Sequence, residues 1–196
     1  MPLSPSPERE LLHLRDIALR GWRRPDGLYD IEAHLRDTKT AGFANDHRGE
    51  IAPGEPLHGM WLRLTVDEDM LVVRCEAASD HTPYAVCPQA APNFAALAGL
   101  RIGPGFNRAV AERVGGTKGC THLRELLGQM ATVAYQTLYP VFAARERAEA
   151  ARRAATGEAP LARRPALVGT CLAYAPDSPV TLARWPHLKP GATAAE

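Results

Sequence analysis

Aromatic residues are scarce in this sequence, and its cysteines are few and far apart. Phe, Trp and Tyr make up 6% of the 196 residues, and the 4 cysteines form no Cys-x-x-Cys pair. Without such a pair, and with no sign of secretion, we expect free thiols in a cytoplasmic protein. No run reaches the ~18 apolar residues of a membrane span. Residues 1–10 are proline-rich and charged and do not resemble a signal peptide.

An excess of charge of one sign is also absent. The 23 Lys and Arg residues nearly balance the 22 Asp and Glu residues. A chain without a basic surface is not drawn to nucleic acid or to an anionic membrane, so we expect neither partner. Its length suits one domain. We expect a disordered segment over residues 1–10 and a single α+β domain over residues 11–190, with a helical extension and linker at about 140–165.

Alternating apolar and polar residues predict an antiparallel sheet. Residues 29–35 alternate strictly after the turn-forming Arg-Pro-Asp-Gly at 24–27, and residues 11–20 favour a strand that pairs with them. Residues 42–56 are too rich in turn formers to continue this sheet.

A second pair of strands is predicted further along the chain. Residues 60–66 alternate, a charged turn follows at 67–69, and residues 71–76 return, which is typical of a β-hairpin. The returning strand is expected to place on its apolar face Leu71, Val73 and Cys75.

Helical periodicity replaces alternation in the second half of the chain. Residues 94–100 indicate a turn or two of helix, and residues 106–114 a short helix. The longest periodic segment, residues 121–153, predicts a helix that packs one stripe on the sheet and is kinked or divided at Pro140. Residues 167–185 offer two extended pieces that are expected to return to the sheet. The predicted fold is α+β, an antiparallel sheet of hairpins packed against one long helix and shorter helices.

The first candidate group for chemistry is the polar row of the strand at 29–35. Asp30, Glu32 and His34 point to one face at about 6–7 Å intervals. Two carboxylates and an imidazole at this spacing can divide acid and base roles if the face is covered. The alternative is a polar strand face that simply meets water.

The second group precedes and enters the next strand. Glu55 and His58 lie in a Gly-Glu-Pro-Leu-His-Gly loop whose proline and glycines fix their directions. Arg63 is on the polar parity of the strand that follows, where it can reach Glu32 or an oxyanion of a substrate. A surface ion pair is the alternative.

The third group, Gly-Gly-Thr-Lys-Gly-Cys-Thr-His at residues 115–122, opens the long helix. A helix start favours an anion or a thiolate, so Cys120 is a candidate nucleophile. Alternatively, Cys120 and His122 bind a metal together with a donor such as Cys87, His58 or His81. Ordinary helix capping by Thr121, with a core cysteine, also explains the pattern.

Several segments together resemble an uncharacterised bacterial family, a domain of unknown function of about this length. They are DGLYDIEAHLRDTKT, GEPLHGMWLRLTVD, GGTKGCTHLRELL, GTCLAY and SPVTLARWP, spanning roughly residues 15–185, with GCTHL the most specific. Members often have Trp where Tyr29 stands and Asp where Gly59 stands. The resemblance implies a setting in bacterial breakdown of aromatic and phenolic compounds, which favours an enzyme over a structural protein.

The leading hypothesis is a small-molecule enzyme, a lyase, isomerase or hydrolase that needs no cofactor and acts on an aromatic or carboxylated metabolite. Glu32 or His58 moves the proton, and the start of the long helix binds developing negative charge. Catalytic roles are predicted for Glu32, His58, Tyr29, Arg63 and Cys120, and substrate contacts for Asp30, His34, Glu55, Thr121 and His122.

Two other functions stay open. One is a metal-binding or accessory protein that uses Cys120 and His122 as ligands. The other is a non-catalytic module that binds a partner through the arginine-rich helix after Pro140. The oligomeric state, a homodimer included, is left open as well.

Overall fold

The computed structural model describes residues 3–158 and 165–189. Contacts between Cα atoms divide the chain into two compact units, Met1–Arg145 and Glu146–Glu196. The single domain expected over residues 11–190 stays a prediction. Part of the expected linker, residues 159–164, lies outside the described residues, as do the first two residues of the expected N-terminal segment.

The first unit contains a four-stranded antiparallel sheet. Among the described residues the strands are β1 (His13–Arg23), β2 (Tyr29–Lys39), β3 (Phe43–Asn45), β4 (Gly49–Ile51), β5 (Pro56–Val66) and β6 (Val72–His81). The main sheet has the order β1-β2-β5-β6, so each long strand pairs with the next long strand. The four strands predicted within residues 11–76 are confirmed. The segment predicted as a loop stays out of this sheet, but it forms the small hairpin β3-β4, which was not predicted.

One face of the sheet carries the core because β2 and β5 alternate as the sequence indicates. The apolar side chains that β2 buries are Tyr29, Ile31, Ala33 and Leu35, and those of β5 are Met60, Leu62, Leu64 and Val66. Burying one side chain of this size stabilises the fold by about 1.5–3 kcal/mol. The intervening residues of β2 lie on the opposite, half-exposed face.

The predicted apolar face of β6 is correct at Cys75, which is 3% exposed, and wrong at the start of the strand. Val72 is fully buried, whereas Val73 is 47% exposed. The pairing of β5 with β6 shifts register between Thr65 and Val66, and a bulge of this kind changes which residues face the core. Met70, with φ at 64°, reverses the chain just before the strand.

Helices cover the buried face. They are a 3-10 segment (Cys87–Leu97), α1 (Phe106–Val114) and the first part of α2 (Thr121–Thr156). The second unit contains α3 (Pro179–Arg184). The stripe of α2 that joins the core consists of Leu123, Leu126, Leu127, Met130, Ala134 and Leu138. Of the kink or division expected at Pro140, the division is wrong, because α2 continues through this residue, and the kink stays a prediction. Proline removes one backbone donor, and the buried Leu138 anchors the turn before it.

Residues 165–189 contain no strand, so the expected return of this segment to the sheet is wrong. The reason is local. Pro179 occupies the first turn of α3, and the Ser178 hydroxyl accepts a hydrogen bond from the Thr181 amide at 3.1 Å. A serine cap followed by proline favours the start of a helix. The fold class is nonetheless the predicted one, α+β with an antiparallel sheet.

Candidate functional site

A row of polar side chains crosses three neighbouring strands at one end of the buried sheet face. Arg15 of β1 pairs in register with Asp37 of β2, and Asp37 pairs with His58 of β5. Asp37 follows Leu35 at alternate spacing, so its carboxylate points to the core side and is 1% exposed. The strands themselves therefore position this row.

Asp37 is held from several directions. Arg15 donates from Nε to Oδ1 at 2.7 Å and from Nη2 to Oδ2 at 2.8 Å. Nδ1 of His58 lies 2.9 Å from Oδ2, and Nε2 of His13 lies 3.4 Å from Oδ1. Burial alone raises the pKa of Asp37, but the hydrogen bonds and charges of Arg15 and His58 outweigh it and lower the pKa. The carboxylate is thus ionised at neutral pH.

His58 takes a defined tautomer because of this partner. An ionised carboxylate only accepts, so Nδ1 of His58 carries the proton and Nε2 has a free lone pair. Burial and the charge of His122 lower the pKa of His58 against the opposing effect of Asp37. The ring is therefore neutral and able to accept a proton.

The start of α2 adds a thiol and a second imidazole. Sγ of Cys120 lies 3.9 Å from Nδ1 of His122 and 3.9 Å from Sδ of Met60. Burial raises the pKa of Cys120, but His122 and the backbone amides of Leu123 and His122 outweigh it, so the pKa is lowered. Hydrogen bonding to Cys120 raises the pKa of His122 in turn. This favours a thiolate beside an imidazolium.

Contact between the two histidines joins the Asp37–His58 pair and the Cys120–His122 pair into one group. Their ring centroids are 3.9 Å apart, and Nε2 of His122 lies 4.0 Å from Oδ2 of Asp37. We call Asp37, His58, Cys120 and His122 the polar cluster. It combines a carboxylate, two imidazoles and a thiol from three elements of the fold.

The polar cluster lies beside a cavity of about 820 Å³. The cavity is lined by Phe43, Asn45, Leu57, His58, Met60, Pro83, Tyr84, Val86, Cys87, Gln89, Ala90, Asn93, Thr117, Gly119, Cys120, Thr121 and His122. A space of this size, mostly apolar with a few polar groups at one place, is typical of a small-molecule site.

Four of the residues predicted from sequence line this cavity, namely His58, Cys120, Thr121 and His122. Two others lie elsewhere in the first unit. Tyr29 is in the core at 3% exposure. Glu55 bonds to the Arg48 guanidinium and accepts from the Ala52 amide at 3.0 Å.

The remaining predicted residues are on the opposite face of the sheet. Nε of Arg63 donates to Glu32 at 2.8 Å, which is the cross-strand ion pair considered as the alternative. His34 stacks on Trp61 with centroids 3.8 Å apart, and Asp30 accepts from the Thr65 hydroxyl at 2.7 Å. The structure therefore does not bring these residues together with His58.

Sequence reasoning missed Asp37 and Arg15. A signal for Asp37 was present, since it continues the buried parity of Ile31, Ala33 and Leu35. A carboxylate at such a position needs a partner on an adjacent strand. Arg15 offers no comparable signal, because only the register of β1 against β2 identifies it.

Fold and cluster together define an α+β protein with a buried carboxylate that joins two histidines and a cysteine beside a cavity. The chain belongs to the family described as "Protein of unknown function (DUF2889)", whose model matches residues 13–136. The matched range includes the whole sheet and the polar cluster. No curated protein and no solved structure matches the chain. Among the helices of the described residues, none is long and apolar enough to cross a membrane.

Proposed function

We propose that this protein is an enzyme that acts on a small molecule by acid–base chemistry at the polar cluster. The observation that carries the proposal is the 2.9 Å contact between His58 Nδ1 and Asp37. A carboxylate that fixes the tautomer and orientation of an imidazole prepares its other nitrogen to act as a general base. His58 lines the cavity, where a substrate can meet it.

Cys120 and His122 supply the complementary charge. In its protonated form, His122 can donate a proton to a substrate atom on which negative charge develops. It can also stabilise that charge without transferring the proton. A base and an acid on adjacent rings suit the removal of a proton next to a carbonyl and its return elsewhere, which is the chemistry of a lyase or isomerase. A hydrolase reaction at Cys120 is the other use of the same groups.

The cavity walls support an aromatic substrate. Phe43 and Tyr84 line the cavity together with Leu57, Met60 and Val86. Apolar walls of this kind bind a ring, while the polar cluster meets its carboxylate or phenol. Breakdown of aromatic compounds is the pathway we propose on this basis. The cysteines of the described residues are free, which supports a reducing, cytoplasmic location.

Proton NMR in D2O tests this function even when the product is unidentified. Phenolic and aromatic carboxylic acids are incubated with the protein, and exchange of an acidic carbon-bound proton or the appearance of a product is followed. His58→Gln is expected to slow the reaction by about 10²–10⁴-fold. His34→Gln is the matched control, because His34 stacks on Trp61 on the other face. Equal rates in wild type and His58→Gln would remove His58 as the base.

A further inference from the structure

We propose that Asp37, His58 and His122 bind a divalent transition metal ion of the zinc class. One ligand atom from each residue lies within 4.8 Å of the others. Oδ2 of Asp37 is 2.9 Å from Nδ1 of His58 and 4.0 Å from Nε2 of His122. Ligands of a tetrahedral zinc ion stand roughly 3.3 Å apart, given bonds of about 2.0–2.1 Å. These two distances lie on either side of that spacing, and rotations of the side chains would bring the three ligand atoms to it.

The donor types select the class of metal. Two imidazoles and one carboxylate suit zinc, iron, cobalt or nickel, whereas magnesium and calcium prefer oxygen ligands throughout. Both histidines line the cavity, so a metal held by them has its remaining positions toward that space. Three protein ligands and an open position are typical of a catalytic rather than a structural metal site.

The groups beside Asp37 hold it in the orientation of a ligand. Arg15 bonds both oxygens of Asp37, and its Nη1 bonds Glu125 at 3.1 Å. Arg15, Asp37 and Glu125 together sum to one negative charge, so the arginine orients the carboxylate without making the site positive. Partners of this outer kind hold metal ligands in place.

Cys120 has an outer role in this arrangement. When Nε2 of His122 binds the metal, its Nδ1 carries the proton and faces Sγ of Cys120 at 3.9 Å. A hydrogen bond from the other ring nitrogen fixes the orientation of a metal-binding histidine. The ligands are thus Asp37, His58 and His122, and the thiol positions His122.

The inference rests on the proposed function for its purpose but not for binding itself. A metal on Nδ1 of His58 and Nε2 of His122 would displace the proton that now faces Asp37, and it would supply an acidified water in place of the two imidazoles as the acid–base group. Metal binding without turnover would support the inference and remove the proposed enzyme. Turnover by protein that binds no metal would do the opposite.

The test uses the full chain purified without an affinity tag, stripped with a chelator and titrated with Zn²⁺ or Co²⁺ alone. Elemental analysis after dialysis is expected to give one metal per chain. Asp37→Asn, His58→Ala and His122→Ala are each expected to weaken binding by more than the roughly 10–100-fold that loss of an outer partner costs. His34→Ala, on the opposite sheet face, is expected to bind as wild type does.

The absorption spectrum of bound Co²⁺ shows whether Cys120 is a metal ligand or only positions His122. Cys120→Ser is expected to bind about 10–100-fold more weakly with an unchanged spectrum. A sulfur-to-cobalt charge-transfer band in the wild type would make Cys120 a ligand and overturn its outer role. Circular dichroism identifies any variant that fails to fold. Absence of bound metal in the folded wild type, or an equal loss in His34→Ala, would overturn the site.

Discussion

His58 and Asp37 face each other as a register pair of β5 and β2, with Nδ1 of His58 2.9 Å from Oδ2 of Asp37. Backbone pairing rather than a loop sets this contact. The same register places Leu35 opposite Met60 in the core. Because a slip of one residue would turn every side chain to the other face, burial of the core also fixes the polar cluster.

Asp37→Asn is expected to destabilise the protein by about 3 kcal/mol at neutral pH. The substitution leaves the Arg15 guanidinium and the His58 ring without the carboxylate that both of them contact. Urea unfolding followed by circular dichroism measures the difference. Asp16→Asn, an exposed position on β1, is the control and should change stability by less than about 0.5 kcal/mol.

The same carboxylate predicts a pH dependence. The folded pKa of Asp37 is lowered, so its contribution to stability is present above the unfolded value of about 3.9 and is lost as the pH falls through the folded pKa. Wild type and Asp37→Asn should therefore differ most above about pH 4 and converge below it. Urea midpoints across this range measure the gap. A gap that is constant with pH would contradict the assignment.

Gly21→Ala is expected to destabilise the protein by about 1–3 kcal/mol, because α2 crosses β1 too closely for a side chain. A Cβ built on Gly21 lies 1.9 Å from Oγ1 of Thr137. Gly128→Ala is the control: it lies on α2 with nothing within 4 Å, and it should stabilise the helix by up to about 1 kcal/mol. Thermal unfolding measures both. Recovery of part of the loss by Thr137→Ala would confirm the contact, and no recovery would contradict it.

Substituting one arginine on each face of the sheet compares how much the ion pairs of the two faces contribute to stability. Arg15→Ala is expected to cost about 1.5–3 kcal/mol, because it removes two charge-assisted hydrogen bonds from the buried Asp37, which keeps its contacts with His58 and His13. Arg63→Ala removes ion pairs with Glu32 and Glu76, whose side chains are 28% and 41% exposed, and should cost less than about 1 kcal/mol. Urea unfolding compares the two variants under one set of conditions. Similar losses in the free energy of unfolding would contradict the prediction, because they would mean that the exposed ion pairs of Arg63 stabilise the fold as much as the pairing of the buried Asp37.

Much of the fold follows from local patterns. Alternation in β2 and the three-and-four spacing of α2 reflect burial on one side, which the sequence records directly. The start of β6, at Val72 and Val73, was mispredicted because a bulge opposite Thr65 and Val66 depends on pairing between strands. The Ser178 cap was visible, but the apolar residues around it were interpreted as a strand.

The site was predictable in part for the same reason. His58, Cys120 and His122 were found by residue type and by the helix start. Parity already separates Glu32 from His58, since His58 shares the parity of Met60 whereas Glu32 alternates with the buried residues of β2. Which residue stands opposite His58 is a property of register, so Asp37 required the structure.

Cys120 is expected to be the thiol with the lowest alkylation inflection in the chelator-treated protein. Its pKa is lowered because His122 and helix amides outweigh burial, whereas burial raises the pKa of Cys75 to about 12. Iodoacetamide labelling, mapped by peptide mass spectrometry against pH, should give an inflection for Cys120 below the ordinary value of about 8.5, with Cys75 unlabelled. His122→Gln removes the imidazolium and should move the inflection upward. If the inflection pH of Cys120 does not change in His122→Gln, His122 does not stabilise the thiolate. That result would also contradict the proposed contact by which Cys120 positions His122.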